Sequence, residues 1–223
     1  MTIKVELGTT LLARNDELAA EIRYVCADNG IFLINIMSSP GAGKTTLLEK
    51  TLPKLKNTVR VAIIEGDIAT TRDADRISAQ GVTAVQLNTD GGCHLDARMI
   101  YQALQQLNLA ELDLIIIENI GNLVCPAEFS LGEDLRIALL STTEGNDKIV
   151  KYPLMFREAQ ILVINKTDLL PYTDFNIKEL EHDVLSINPD LQIHYVSARQ
   201  DTGIDSFAEQ LAGFALKKAA RKG

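Results

Sequence analysis

The chain alternates between short, almost purely apolar runs and longer stretches in which apolar positions recur every three or four residues. The first such stretch, about residues 9–29, sets Leu11, Leu12, Leu18, Ile22 and Val25 near one face, and Asn29-Gly30 supplies a stop, which predicts a helix. The run Ile31-Phe32-Leu33-Ile34-Asn35-Ile36-Met37 reads as a buried strand. A glycine-containing loop follows it, then a helix through about Leu55. Further strands are expected at Val59–Glu65, Val82–Leu87, Leu112–Glu118, Leu135–Thr142, Ile161–Asn165 and Gln192–Val196. Helices are expected at about 72–80, 94–107, 176–187 and 203–218. Apolar strands alternating with amphipathic helices predict an α/β fold, a mostly parallel sheet of about seven strands with helices on both faces.

No Ser/Pro/Gly-rich linker, low-complexity tract or internal repeat divides the chain, so residues 1–223 are expected to form one domain with an N-terminal helix. The least regular segments, Gly121–Leu131 and Glu144–Phe156, are expected to be switches or a partner surface. Hydrophobic residues make up 46% of the chain, and with aromatics at only 5% the core must rest on Ile, Leu, Val and Ala. A net charge of −8 argues against nucleic acid as a partner. The basic stretch Lys217-Lys218-Ala219-Ala220-Arg221-Lys222 reads as a frayed helix end whose cations suit the negative helix terminus, ahead of a membrane or nucleic-acid contact. No apolar run is long enough to span a bilayer, and Glu6, Arg14, Asp16 and Glu17 interrupt any leader-like core. The expectation is a cytoplasmic protein whose Cys26, Cys93 and Cys125 are reduced.

Two motifs carry the chemistry. Ser38-Ser39-Pro40-Gly41-Ala42-Gly43-Lys44-Thr45-Thr46 lies between a strand and a helix. A phosphate loop needs glycines so that backbone N–H groups can face the phosphates, a Lys for the β and γ phosphates and a hydroxyl for magnesium. Gly41, Gly43, Lys44 and Thr45 supply these, with Ser38 where the usual pattern opens on Gly. Magnesium also calls for an acid at a neighbouring strand end, and both Asp67 and Glu118 are candidates, directly or through water. Asp67 has a second possible role in orienting the attacking water. Glu118-Asn119-Ile120-Gly121 resembles the Asp-x-x-Gly of GTPases, with the Gly121 amide placed to sense the γ phosphate. Asn122 stands where Ras-like proteins carry a water-orienting Gln, so slow intrinsic hydrolysis is expected.

The second motif is Asn165-Lys166-Thr167-Asp168. The Asp168 carboxylate can accept from guanine N1–H and N2–H₂, a donor pair that adenine lacks. Asn165 is expected to tie this loop to the phosphate loop, and the Lys166 stem to pack over the base. Ser197-Ala198-Arg199 matches the short Ser-Ala-Lys loop at the guanine O6 edge. In this order the motifs predict binding of GTP and GDP rather than ATP, which argues against a small-molecule kinase.

A third group is less determined. Gly91-Gly92-Cys93-His94 and Cys125-Pro126 offer two thiolates and an imidazole, donors suited to zinc, nickel or copper. The same cysteines would also serve as small core hydrophobes, although the flanking glycines and proline favour exposed loops. Cys26 is expected in the core, and His182 and His194 at the surface or packed. Lys148 and Lys151 are candidates for phosphate or partner contacts, or for a solvated face.

Taken with Gly91-Gly92-Cys93-His94-Leu95-Asp96-Ala97 and Glu118–Pro126, the nucleotide motifs from Asn35 to Thr46, Glu65 to Thr70 and Asn165 to Pro171 resemble the hydrogenase nickel-incorporation GTPases, the HypB family. The resemblance runs from about residue 30 onward. It implies a SIMIBI-class P-loop GTPase that dimerises around nucleotide and helps load nickel into nickel–iron hydrogenase. It further implies a nickel or zinc site of Cys93, His94 and Cys125 at the dimer interface. Its implied partners are a second copy, a nickel-binding maturation protein of the HypA type and the hydrogenase large subunit. The chain opens Met-Thr-Ile-Lys-Val-Glu, without the Cys-x-x-Cys-Gly-Cys or His-rich tract of many members, so no N-terminal nickel store is expected. Separate Cys-His and Cys-Pro pairs disfavour a urease-type GTPase, which carries Cys-Pro-His as one tripeptide. A GTP-gated adaptor with a purely structural zinc site is the other reading.

Overall fold

A computed structural model describes residues 7–67, 76–89 and 91–221, with side chains from residue 11 onward and that of Asp67 excepted. Its seven strands are β1 (Phe32–Ser38), β2 (Val61–Asp67), β3 (Thr83–Asn88), β4 (Leu114–Glu118), β5 (Leu135–Ser141), β6 (Ile161–Asn165) and β7 (Gln192–Tyr195). They form one sheet in the order β3-β2-β4-β1-β5-β6-β7, and every pairing is parallel. The expected architecture is thus present, and the sheet is parallel throughout rather than mostly so.

The register follows from burial on both faces. Along β1, Ile34 and Ile36 join one core layer and Leu33 the opposite one. The first layer is closed by α2 (Lys44–Leu55) and α8 (Ile204–Ala219), which contribute Leu48, Leu52, Phe207 and Leu211. The second is closed by α1 (Leu7–Asn29) and α3 (Ala97–Leu104), through Ile22 and Ile100. Beyond β5, the short helices α5 (Lys148–Lys151) and α6 (Pro153–Glu158) and the longer α7 (Ile177–Ile187) cover Leu140 and Leu162, with Phe156 fully buried among them. Aliphatic side chains dominate all three layers, as the low aromatic content requires.

Several expectations shift. The helix expected over 94–107 begins only at Ala97, because the Asp96 carboxylate accepts from the Met99 amide and caps it there. Cys93 and His94 therefore lie in a loop. Of the helix expected over 72–80, residues 72–75 lie outside the described residues, and 76–78 are helical. The two irregular segments contain short helices, α4 (Cys125–Glu128) in the first and α5 and α6 in the second. The basic tail is not frayed through Lys218, whose ammonium sits 2.6 Å from an Asp134 oxygen while α8 continues to Ala219.

β1 lies between β4 and β5, so the chain leaves its carboxyl end toward one side of the sheet and returns on the other. The loops after β1 and β4 diverge there and leave a crevice, the usual ligand position in such sheets.

Candidate functional site

The crevice has a volume of about 490 Å³ and is walled by the phosphate loop, Glu65, Gly66, Arg76 and the Glu118–Gly121 segment. Gly41 and Gly43 take φ of 75° and 100°, values that side-chain-bearing residues avoid, and Gly43 caps α2. A Cβ on Gly43 would lie 2.6 Å from the Asn165 amide nitrogen, so the glycine also makes room for the second motif. The buried Lys44 ammonium lies 2.9 Å from Ser38 Oγ. The atypical first residue of the loop thus contacts its lysine. Thr45 Oγ1 donates to Glu118 Oε1 at 2.7 Å, which sets a hydroxyl and a carboxylate together at the crevice floor. These two oxygens fit a magnesium ion, a hard cation that takes oxygen ligands. Thr46 flanks them and accepts from Arg76, which is also paired with Glu49.

Gly121 packs directly on the phosphate loop, since a Cβ there would lie 2.8 Å from Pro40 Cα and 2.9 Å from its nitrogen. The backbone of Asp67 ends β2 opposite Asn88, and its side chain lies outside the described residues. Glu65, two residues earlier, is buried, lines the crevice and pairs across the sheet with Glu118. Glu65 and Arg76 line the crevice beside the two acids that the sequence offers, Asp67 and Glu118, and neither belongs to a motif that would single it out.

The guanine motif joins the same site. Asn165 Nδ2 donates to the Ala42 carbonyl at 3.0 Å, and its Oδ1 accepts from the Ala198 amide at 3.2 Å. One buried side chain therefore clamps the phosphate loop to the Ser197-Ala198 loop. Lys166, at φ 60°, extends its ammonium to the Gly41 carbonyl at 2.7 Å. Asp168 Oδ1 accepts from Ser197 Oγ at 2.6 Å, and the Gln200 amide donates to the same hydroxyl. Three segments separated in sequence thus meet beyond β1, β6 and β7, as the motif order predicts.

Cys93, His94 and Cys125 come together as well, with donor atoms all within 4.8 Å of one another. The two sulfurs are 3.2 Å apart, and Cys93 Sγ lies 3.5 Å from His94 Nδ1. Neither cysteine is buried, so the reading of both as core hydrophobes is set aside; Cys26 is the buried one. Burial among apolar groups pushes the Cys26 thiol up to about 12. The loop owes its shape to a turn in which Gly92 N–H donates to the Thr89 carbonyl and Gly91 takes φ 94°. Asn15, from α1, accepts from the Ala97 amide and donates to the Ser130 carbonyl, which braces both loops from behind. The His94 ring stacks on Phe129 with centroids 4.0 Å apart. Burial holds its imidazole below the usual range, against the opposing pull of Asp96 and Glu128. It is therefore neutral and able to ligate at neutral pH. The hydrogen bond to Cys93, then burial, raises the Cys125 thiol. Two soft sulfurs and an imidazole suit nickel, zinc or copper.

The other residues singled out from the sequence lie outside the crevice. Asn122, at the place of the missing water-orienting Gln, does not line it; its Nδ2 donates to the Cys93 carbonyl at 3.2 Å. Lys151 pairs with Asp147 and Lys148 lies over the Tyr152 ring, so both have local partners. His194 packs edge-on against Phe207, and His182 is exposed.

Comparison with known proteins agrees with this geometry. Residues 32–195 match the family described as CobW/HypB/UreG, nucleotide-binding domain. The hydrogenase maturation factor HypB of Azotobacter chroococcum mcd 1 is 47% identical over 217 residues, covering 97% of this chain and 70% of that protein. The crystal structure of HypB from Helicobacter pylori in complex with nickel superposes with a TM-score of 0.87 at 38% identity, over 92% of this chain and 97% of that one. HypB from Archaeoglobus fulgidus gives 0.85 at 36%, over 92% and 100%. With the phosphate loop, the guanine motif and the paired cysteines each in place, the chain belongs to the CobW/HypB/UreG family and, within it, to the HypB hydrogenase maturation factors.

Proposed function

We propose that residues 1–223 act as one GTPase unit that hydrolyses GTP and uses nucleotide state to control a metal site delivering nickel to a nickel–iron hydrogenase. The observation that carries this reading is one short segment. Glu118 accepts from Thr45 at one end, Gly121 abuts Pro40 of the phosphate loop, and Cys125 meets Cys93 at the other end. Any rearrangement around the γ phosphate is transmitted along a few residues to a metal ligand.

In this reading the amides of Gly41, Ala42, Gly43, Lys44, Thr45 and Thr46 cradle the phosphates, and Lys44 stabilises charge on the β and γ oxygens. Thr45 and Glu118, with Asp67 as a further carboxylate, would hold magnesium, which neutralises phosphate charge when bound. Gly121 presents its amide to the γ phosphate. Asn165, Lys166, Asp168, Ser197 and Ala198 read the guanine. Attack of water on the γ phosphorus breaks the bond to the β,γ-bridging oxygen and leaves GDP and inorganic phosphate.

Cys93, His94 and Cys125 supply three donors to nickel or zinc. The cluster is open to solvent on the Cys93 side, so a second copy facing it across a two-fold axis would bring three more. A HypA-type protein delivering the metal and the hydrogenase large subunit receiving it complete the scheme. No helix among the described residues is long and apolar enough to cross a membrane, and we place the reaction in the cytoplasm.

Nickel and zinc titrations with GDP and with a non-hydrolysable GTP analogue, followed by sedimentation, test this. The expected result is a nucleotide-dependent change in metal affinity together with GTP-favoured dimerisation. Equal metal affinity and equal oligomeric state in both nucleotides would instead leave an adaptor with a structural zinc site.

A further inference from the structure

Between the crevice and the metal loop lies a buried side chain to which neither the phosphate loop, the guanine motif nor the cysteine cluster gives a role. Asn119 is 1% exposed. Its Oδ1 accepts from the Leu95 amide at 3.2 Å and from the Ile120 amide at 2.9 Å. Its Nδ2 donates to Asn35 Oδ1 at 3.1 Å, and Asn35 in turn donates to Glu133. Its own amide donates to the Ile36 carbonyl of β1 at 3.1 Å. One residue therefore bonds the strand that leads into the phosphate loop, the γ-phosphate segment and the residue after His94.

We propose that Asn119 is the positioning residue that conveys nucleotide state to the metal loop, with Asn122 as a second tether; this rests on the function proposed above. The geometry supports a rigid link. Leu95 is fully buried and seated on Gly66 at the end of β2, where a Cβ would lie 2.8 Å from Leu95 Cδ1. Its amide cannot turn to water if the Asn119 acceptor moves away, and an unpaired buried amide is costly. A displacement of Glu118–Gly121 thus takes Leu95 with it, and His94 precedes Leu95 directly. Asn122 closes the path from the other side. Its Nδ2 holds the Cys93 carbonyl at 3.2 Å, while its Oδ1 accepts from the Val124 amide at 2.9 Å, beside Cys125. The segment that abuts Pro40 thereby controls the spacing of both sulfurs and the imidazole.

The test is the ratio of nickel affinities measured on the full chain with a non-hydrolysable GTP analogue and with GDP. In the unsubstituted protein this ratio should depart from one by about 5–150-fold, the ordinary span of coupling between two sites. Asn119→Ala should bring it to within about twofold of one, and Asn122→Ala should give an intermediate value. Affinity for each nucleotide without metal should change little in Asn122→Ala, whose side chain does not line the crevice. A purely structural lesion lowers both nickel affinities together and leaves the ratio unchanged.

An Asn119→Ala protein that folds and keeps the full ratio overturns the relay. If Asn119→Ala does not fold, Asn122→Ala decides, because Asn122 lies at the surface segment; a full ratio there overturns the relay as well. A ratio of one in the unsubstituted protein refutes the proposed function itself, and the relay with it.

Discussion

The nucleotide end and the metal end of this molecule are built on different principles. At the nucleotide end the polar groups are buried, Asp168 only in part, and bonded to one another: Lys44 to Ser38, Thr45 to Glu118, Asn165 to Ala42 and Ala198, Asp168 to Ser197. Such a site is preorganised by its own chain, because each buried polar group left unpaired would be costly. At the metal end Cys93 is exposed, and the cluster offers three donors where a closed tetrahedral site needs four. On the function proposed above, one chain carries the whole nucleotide site, whereas the open metal site would gain from a further donor from outside, an arrangement that suits a carrier that must release its metal.

The sharpest break in that contrast would come at Lys44. Lys44→Ala should lower GTP turnover by about 100–1000-fold or more, because it removes the cation at the β and γ phosphates. Nickel affinity without nucleotide should stay unchanged. Steady-state phosphate release and nickel titration together check both halves, and near-normal turnover would place the chemistry elsewhere.

Asp168→Asn should cost GTP binding about 2–4 kcal/mol by removing the charged acceptor for guanine N1–H and N2–H₂. It should favour xanthosine triphosphate, whose O2 replaces the amino group. Competition binding with the two nucleotides reads the switch directly, and an unaltered preference would dismiss the guanine assignment.

At the other end, a Cys93→Ser, Cys125→Ser double variant should weaken nickel and zinc binding by at least about 100-fold. GTP turnover without metal should be retained. The pH dependence of the unsubstituted protein sharpens this. The Cys125 thiol is raised by Cys93 and by burial, so it is protonated at neutral pH and must lose its proton on binding. Metal affinity should therefore rise with pH above neutrality and fall on acidification. His94, lowered by burial, competes as a cation only at more acidic pH. Nickel affinity that is flat between pH 6.5 and 8.5 would exclude thiolate ligation.

The smallest effect concerns the junction. Gly121→Ala forces a Cβ to within 2.8 Å of Pro40 Cα, backbone that has little room to yield. We expect about a tenfold loss of affinity for a GTP analogue and a lesser loss for GDP, since only the former needs Gly121 close to the γ phosphate. Equal losses would separate Gly121 from γ-phosphate sensing.

Periodicity and spacing were sufficient for the sheet and for each nucleotide motif. An apolar run buried on both faces has little choice but a central parallel strand, and glycines at φ 75° and 100° are legible because few other residues tolerate those values. The order of the phosphate loop, Asn165–Asp168 and Ser197-Ala198 likewise implied one site, since each follows a strand and parallel strands share a carboxyl end. Three-dimensional packing alone decided the rest. The distance at which Cys93 meets Cys125, expected from the resemblance but not from spacing, which carboxylate faces Thr45, and that Asn122 turns toward Cys93 rather than into the crevice depend on contacts between segments tens of residues apart. Asn15, Asn35 and Asn119 carry no local signature, because a buried asparagine is defined by the partners that satisfy it, and those come from other elements of the fold.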